Sequence, residues 1–214
     1  MKYRKLVENA KKPNGFWGKM MIKAMNKGHS SLTSWGLEHM NIERTATVLD
    51  IGCGGGKTVE RLCSIVANGK VYGIDYSELS VKSSEKLNSK NILCNKAKIL
   101  QASVSDMPFD DNTFDNITAV ETYYFWPDKE NDVKEVFRVL KQGGTVMLLF
   151  EMLRTDDDPF KWEKVENMLN IKSVTPQEIR AVLESAGFEN INTYTKEGTT
   201  WLCATAQKPK DDEN

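Results

Sequence analysis

Val48-Leu49-Asp50-Ile51-Gly52-Cys53-Gly54-Gly55-Gly56-Lys57-Thr58 is the stretch on which the fold turns. Aliphatic residues lead into an aspartate, four glycines fall within five positions, and an apolar-periodic run follows from Thr58 to Val66. That is the layout of a strand, a tight turn and a helix. Glycines gather where a backbone bends sharply or a ligand comes close. In an open α/β sheet such a turn sits at the carboxyl end of the first strand, where ligands bind.

Outward from this turn the chain alternates. Thr47–Ile51 reads as a strand, Lys57–Ala67 as a helix, Lys70–Ile74 as a strand ending on Asp75, and Ser77 as the cap of a helix to about Asn88. Strands follow at 97–102, 114–120 and 145–151, the last an apolar run suited to a buried central strand. Asp128 caps a helix expected to run to Leu140, with Gln142-Gly143-Gly144 ending it. Residues 162–169 read as a short helix. Thr175-Pro176-Gln177-Glu178 carries proline at the first helical position and a capping-box glutamate. Residues 190–195 and 200–206 read as a terminal hairpin. The alternation implies a mostly parallel sheet with helices on both faces. Upstream, Met20, Met21, Ala24 and Met25, then Leu32, Trp35 and Leu37, mark two helices separated by a turn at 26–31. One domain is expected, with residues 1–45 a helical cap, 46–207 the core and 208–214 a disordered tail.

Composition bounds the function. The 214 residues carry a formal net charge of -1 and 40% hydrophobic residues, which leaves no whole-chain footprint for nucleic acid or an anionic membrane. Cys53, Cys63, Cys94 and Cys203 have no zinc-ligand spacing. Scattered thiols and a polar N-terminus, Met1-Lys2-Tyr3-Arg4-Lys5, fit a cytoplasmic chain with no signal peptide and no metal.

Three readings of the glycine stretch compete. A phosphate-binding loop ending in Gly56-Lys57-Thr58 needs glycine where Ile51 stands. A dinucleotide fingerprint needs glycine or alanine where Lys57 stands. An acid followed by alternating glycines, Asp50, Gly52, Gly54 and Gly56, fits throughout. With Gly73-Ile74-Asp75 placing an acid 19 residues after Gly56, the loop Ser105-Asp106-Met107-Pro108-Phe109 to Asp115, and Arg138-Val139-Leu140-Lys141-Gln142-Gly143-Gly144, the sequence resembles the class I S-adenosylmethionine-dependent methyltransferases, of the group sharing the ubiquinone/menaquinone-biosynthesis core.

The resemblance implies a Rossmann-like three-layer sandwich: a mostly parallel seven-stranded sheet with an antiparallel C-terminal hairpin strand and an N-terminal helical cap. It implies S-adenosylmethionine as cofactor and S-adenosylhomocysteine as product. The implied cofactor residues are Asp50, Ile51, Gly52, Cys53, Gly54, Gly56, Asp75, Tyr76, Ser103, Val104, Ser105, Asp106, Val120 and Glu121. Asp75 would accept ribose hydroxyls, and Asp50 would either anchor the loop or meet the ligand's ammonium. Serine at 103 replaces the family's usual acid on the adenine amino group, which leaves that contact to the Val104 backbone or to Asp106.

Glu121 and His29 are the candidate bases; a surface or capping role is the plainer one for a lone loop histidine. Trp17, Trp35, Tyr123, Tyr124 and Trp126 are the candidate acceptor wall, with core packing the alternative for each. The absence of an Asn-Pro-Pro-Tyr-like segment or a Pro-Cys nucleophile, with the neutral charge, points away from nucleic acid. The acceptor expected is a small molecule, handled by a monomer or homodimer without a membrane partner. The alternatives are a nicotinamide-dependent oxidoreductase and a non-catalytic protein that binds the cofactor.

Overall fold

In the computed structural model, residues 9–210 are described. The polar N-terminus and the end of the expected tail, 211–214, lie outside them. Among the described residues, seven strands form one sheet in the order β3-β2-β1-β4-β5-β7-β6. They are β1 (Thr47–Ile51), β2 (Lys70–Asp75), β3 (Ala97–Gln101), β4 (Phe114–Val120), β5 (Leu140–Phe150), β6 (Glu189–Thr195) and β7 (Leu202–Gln207). Strands β1 to β5 run parallel, and β7 runs antiparallel to both β5 and β6. The chain moves from β1 outward to β3 and then returns to β4 on the other side of β1. The β1/β4 boundary is therefore the topological switch point, and a crevice opens at its carboxyl edge.

The helices are α1 (Gly15–Gly28), α2 (Ser30–Leu37), α3 (Lys57–Ile65), α4 (Glu78–Leu87), α5 (Ser89–Leu93), α6 (Lys129–Val139), α7 (Glu163–Leu169) and α8 (Pro176–Ser185). Local chemistry sets their starts. The Ser77 hydroxyl accepts from Ser80 N, the Asp128 carboxylate accepts from Asn131 N, and Thr175 with Glu178 forms a complete capping box. The core lies between the sheet and its helices, with Phe114, Ile117, Leu140, Leu148 and Phe150 at most 1% exposed.

Several boundaries differ from the sequence reading. The turn expected at 26–31 shrinks to His29, because α1 runs through Gly28 and α2 starts at Ser30. Helix α6 ends at Val139, and β5 begins at Leu140, five residues early. The Gln142-Gly143-Gly144 segment is an irregularity inside the strand, where the register with β4 shifts between Phe114 and Asn116. The C-terminal pair is a hairpin, but its second strand is inserted between β5 and β6. The tail does not begin at Lys208. That side chain is 9% exposed, and its ammonium donates to Asn112 Oδ1 and to the carbonyls of Phe137 and Leu140 at 2.8–2.9 Å. Those carbonyls bracket the end of α6, where a cation meets the negative end of the helix. No helix among the described residues is long and apolar enough to cross a membrane.

Candidate active site

The glycine turn is tied to the neighbouring strand at two points. Cys53 N donates to Ile74 O at 2.9 Å, and Gly54 N donates to Asp75 Oδ2 at 2.9 Å. The other Asp75 oxygen accepts Ser77 N at 2.8 Å. One carboxylate thus joins the carboxyl ends of β1 and β2 and steers the chain into α4. Burial raises the Asp75 carboxyl above its ordinary range, while the two amides and the Ser80 hydroxyl oppose that shift. Asp50, 2% exposed, accepts the Thr118 hydroxyl at 2.8 Å. Burial lifts it to about 7. Cys53 is buried, and its thiol is pushed well above the ordinary value, which suits a small packing residue and not a nucleophile.

The glycines of the turn divide their labour. Gly54, at φ +51°, faces open space: an added Cβ would meet nothing nearer than Gly52 O at 3.9 Å. Gly56, at φ +81°, is closed against α4, where a Cβ would collide with the Ser84 hydroxyl and come within 2.6 Å of Asn88 Nδ2.

A cavity of about 1050 Å³ opens over the turn. That exceeds the roughly 300–1,000 Å³ usual for one small ligand, and so has room for two molecules side by side. Ile51, Gly52, Gly54, Asp75, Tyr76, Ser103, Val104, Glu121, Tyr124 and Trp126 line it. A second cavity of about 50 Å³ adjoins the turn, lined among others by His29, Asp50, Cys53 and Val120. The N-terminal helices form the roof. Ile22 and Met25 of α1 line the large cavity, and Asn26 Nδ2 reaches Gly55 O at 3.4 Å. Ser77 Oγ donates to Pro13 O at 2.9 Å, and the Tyr76 hydroxyl donates to Lys11 O. Arg61 of α3 holds Ser30 through its carbonyl and its hydroxyl, both at 3.0 Å.

Glu121 stands where β4 ends, at φ +59°, a left-handed conformation rare for a residue with a side chain. Its backbone N–H donates to Leu149 O at 2.9 Å, and its carboxylate accepts Glu151 N–H. The Tyr124 hydroxyl accepts Met152 N–H at 3.0 Å, which leaves its proton for Glu121. Burial, with the nearby Glu151 charge, pushes the Glu121 carboxyl up to about 8. Burial lowers His29, which keeps the imidazole neutral near pH 7. Its Nε2 lies 4.0 Å from Glu151 Oε2. His29, Glu121 and Glu151 each place a nitrogen or oxygen within 4.8 Å of the other two. The donor types suit a cation or a proton relay, and no further feature of the site singles out a cation.

Six of the residues singled out in the sequence line neither cavity. Gly56 faces α4. Ser105 and Asp106 lie on the exposed turn after β3. Tyr123, 5% exposed, packs edge-on to Phe150 under the Lys129 ammonium. Trp17 packs edge-on to Phe16. Trp35 belongs to a separate cluster with Leu32, Met147 and Leu149, against His39 and Trp201.

Sequence reasoning missed Thr122, Ile22 and Met25 as lining residues. Thr122 links the site internally, donating to Ile51 O and accepting Trp126 Nε1–H, each at 3.3 Å. The signal for Ile22 and Met25 was their helical spacing, but nothing in that spacing told a roof from a core face.

Residues 49–148 match the family described as "Methyltransferase domain". The chain is 27% identical over 183 residues to the uncharacterized methyltransferase YdaC of Bacillus subtilis, covering 85% of this chain and 93% of that one. It is 31% identical over 181 residues to the ubiquinone/menaquinone biosynthesis C-methyltransferase UbiE of Cronobacter sakazakii, covering 73% and 72%. Fungal sterol 24-C-methyltransferases also match, but the chain spans less than half of their length. Among solved structures, human N-acetylserotonin methyltransferase in complex with SAM shares the fold, with a TM-score of 0.71 at 17% identity over 88% of this chain and 55% of that one. The chain belongs to the S-adenosylmethionine-dependent methyltransferases.

Proposed function

We propose that the large cavity holds S-adenosylmethionine against the glycine turn and a small-molecule methyl acceptor beyond Glu121. The observation that carries this reading is the Gly54–Asp75 pair: an open glycine beside a buried carboxylate, both on the cavity wall at the switch point of the sheet. Asp75 keeps lone pairs for ribose hydroxyls while its two amide bonds fix its rotamer. The missing side chain at Gly54 lets the methionyl portion approach the backbone, and the first turn of α3 supplies N–H groups for its carboxylate. Ser103 and Val104 would flank the adenine. The Asp50–Thr118 bond favours loop anchoring for Asp50.

When bound, S-adenosylmethionine supplies an activated methyl group for in-line displacement. The chain's part is alignment, exclusion of water and custody of a proton. Tyr124, Phe125 and Trp126 wall the acceptor side, and the α1 roof closes over it. Glu121, with its carboxyl near 8, takes a proton from the acceptor close to working pH. Neutral His29 and Glu151 stand next in line to receive it. Lid and core act as one unit on one cavity. Four free cysteines support a reducing, cytoplasmic setting.

Calorimetry with S-adenosylmethionine, S-adenosylhomocysteine and NAD tests the cofactor, followed by transfer of labelled methyl into a metabolite extract. Asp75→Asn should weaken both sulfur ligands by about 10- to 100-fold, the equivalent of one or two charged hydrogen bonds. Binding of NAD without the sulfur ligands, or an Asp75→Asn variant with unchanged affinity, refutes the assignment.

A further inference from the structure

The whole-chain charge of -1 hides a strong asymmetry. Residues 1–37 hold seven lysines and one arginine against a single glutamate, and no acid occurs from Asn9 to Leu37. Within that stretch, α1 is two-faced. Its inner side is closed on the protein: Ile22 is 5% exposed, and a Cβ at Gly18 would come within 2.8 Å of Pro13 and 2.9 Å of Leu79. Its outer side carries Phe16, Lys19, Met20, Lys23 and Lys27, at i, i+3, i+4, i+7 and i+11, all on one face. Phe16 is 69% exposed and Met20 44% exposed. Trp17 packs its ring edge against Phe16 at 5.6 Å, so the apolar strip is braced. Among the described residues, no carboxylate lies within ion-pair distance of Lys19, Lys23 or Lys27.

Uncompensated lysines interleaved with a bulky aromatic and a methionine fit one kind of surface, the headgroup region of an anionic bilayer. Ammonium groups meet lipid phosphates there, while Phe and Met reach the acyl boundary. A nucleic-acid backbone would reward the lysines but not the two apolar side chains at the centre of the strip, and the face has no Arg, Asn or Gln for base or phosphate forks.

We propose that α1 docks the protein on anionic lipid through Phe16, Met20, Lys19, Lys23 and Lys27 while its inner face stays seated over the cavity. The cavity wall formed by Ile22 and Met25 then lies about one helix diameter, roughly 10 Å, from the bilayer. The expectation of no membrane partner rested on net charge, which averages over this helix. The proposal does not depend on the cofactor assignment.

The test is co-sedimentation of the full chain with phosphatidylcholine vesicles, with and without a third of phosphatidylglycerol, at low and high salt. Binding should require the anionic lipid and weaken with salt. Lys19→Glu/Lys23→Glu/Lys27→Glu should lower it by at least about 10²-fold, from roughly fivefold per lost lysine. Phe16→Ser/Met20→Ser should also lower it at unchanged charge. All five positions are exposed, so both variants should keep the parent's melting temperature, which separates lost docking from lost folding. No binding to the mixed vesicles, equal binding to phosphatidylcholine alone, or capture by heparin without capture by vesicles overturns the proposal. So does a Phe16→Ser/Met20→Ser variant that binds like the parent.

Discussion

Two glycines two residues apart should fail in different ways when each becomes alanine. At Gly56 the added methyl meets two costs. A side chain at φ +81° costs about 1–2 kcal/mol. The methyl also enters a closed contact with α4, near Asn88 Nδ2 at 2.6 Å and Ser84 Cα at 2.8 Å, and overpacking of that kind costs about 1–3 kcal/mol. Asn88 Nδ2 donates to Gly56 O at 3.0 Å and cannot retreat without losing that bond. The total is about 2–5 kcal/mol, or roughly 10 °C in melting temperature for a chain of this size. At Gly54 only the backbone term applies, about 1 kcal/mol and a few degrees, because no atom but Gly52 O lies within 4 Å of the added Cβ. The methyl there projects toward the cavity, so S-adenosylhomocysteine affinity should fall by about tenfold or more, as for any group intruding on a ligand contact. Thermal denaturation without ligand and calorimetry with S-adenosylhomocysteine read the two effects separately. A Gly56→Ala protein that melts like the parent but no longer binds would return Gly56 to the cofactor's contacts. A Gly54→Ala protein that melts as low as Gly56→Ala would refute the division between the two.

Other expectations are as direct. The Glu121 carboxyl is raised from the ordinary 4.5 to about 8, so its contribution to stability is complete below about pH 4.5 and lost as pH climbs through 8. The melting temperature should fall across that window, and Glu121→Gln should flatten part of the fall; the remainder is shared by Asp50, raised to about 7, and by Asp75 and Glu151, which burial raises in the same direction. A Glu121→Gln profile that overlays the parent's refutes the burial argument. Arg138 holds the carbonyls of Met107 and Phe109 at 3.2 and 2.9 Å and pairs with Asp111 and Glu135. Arg138→Ala should cost about 2 kcal/mol and loosen the segment after Ser103 and Val104, raising the S-adenosylhomocysteine Kd several-fold; unchanged affinity would detach that segment from the ligand. Trp35→Ala should destabilise by about 2–3 kcal/mol, less than for a fully buried tryptophan, and leave cofactor affinity unchanged. A loss of affinity instead would place Trp35 in the lid's function.

The parts of the fold that were legible are those whose cause is local. Ser77, Asp128 and Thr175 announce helices because a cap bonds an amide two or three residues away. Asp75 was readable as a candidate site residue because the turn and the second strand end lie at a fixed spacing in one β-α-β unit. Lys208 was placed in the disordered tail because its three acceptors, on Asn112, Phe137 and Leu140, lie 68 to 96 residues away. The insertion of β7 between β5 and β6 was hidden for the same reason: either strand of a hairpin can reach the sheet, and burial decides. Along β7, Leu202, Cys203, Ala204 and Ala206 are fully buried, whereas β6 is half exposed, so β7 takes the interior place. Trp35 was readable as lid or core, with core packing the plainer role, because an aromatic on an N-terminal helix suits both. Its actual neighbours, Met147, Leu149 and Cys203, come from strands far along the chain.

Glu121 was visible only as the acid after β4; the backbone shows why it is singular. A side-chain residue stays at φ +59° only where its surroundings hold it there. Here Leu149 O takes its N–H while Glu151 N–H binds its carboxylate, so backbone and side chain are pinned to the same edge of β5. Glycine would relieve the backbone, and glutamine would still accept the Glu151 amide. Neither would carry an ionisable proton, and that proton is what the buried setting makes available near neutral pH. The strain and the raised carboxyl therefore point the same way, since a residue kept only for packing would need neither. The pinned backbone and the raised carboxyl, more than the place after β4, support the proposed role of Glu121 in proton transfer.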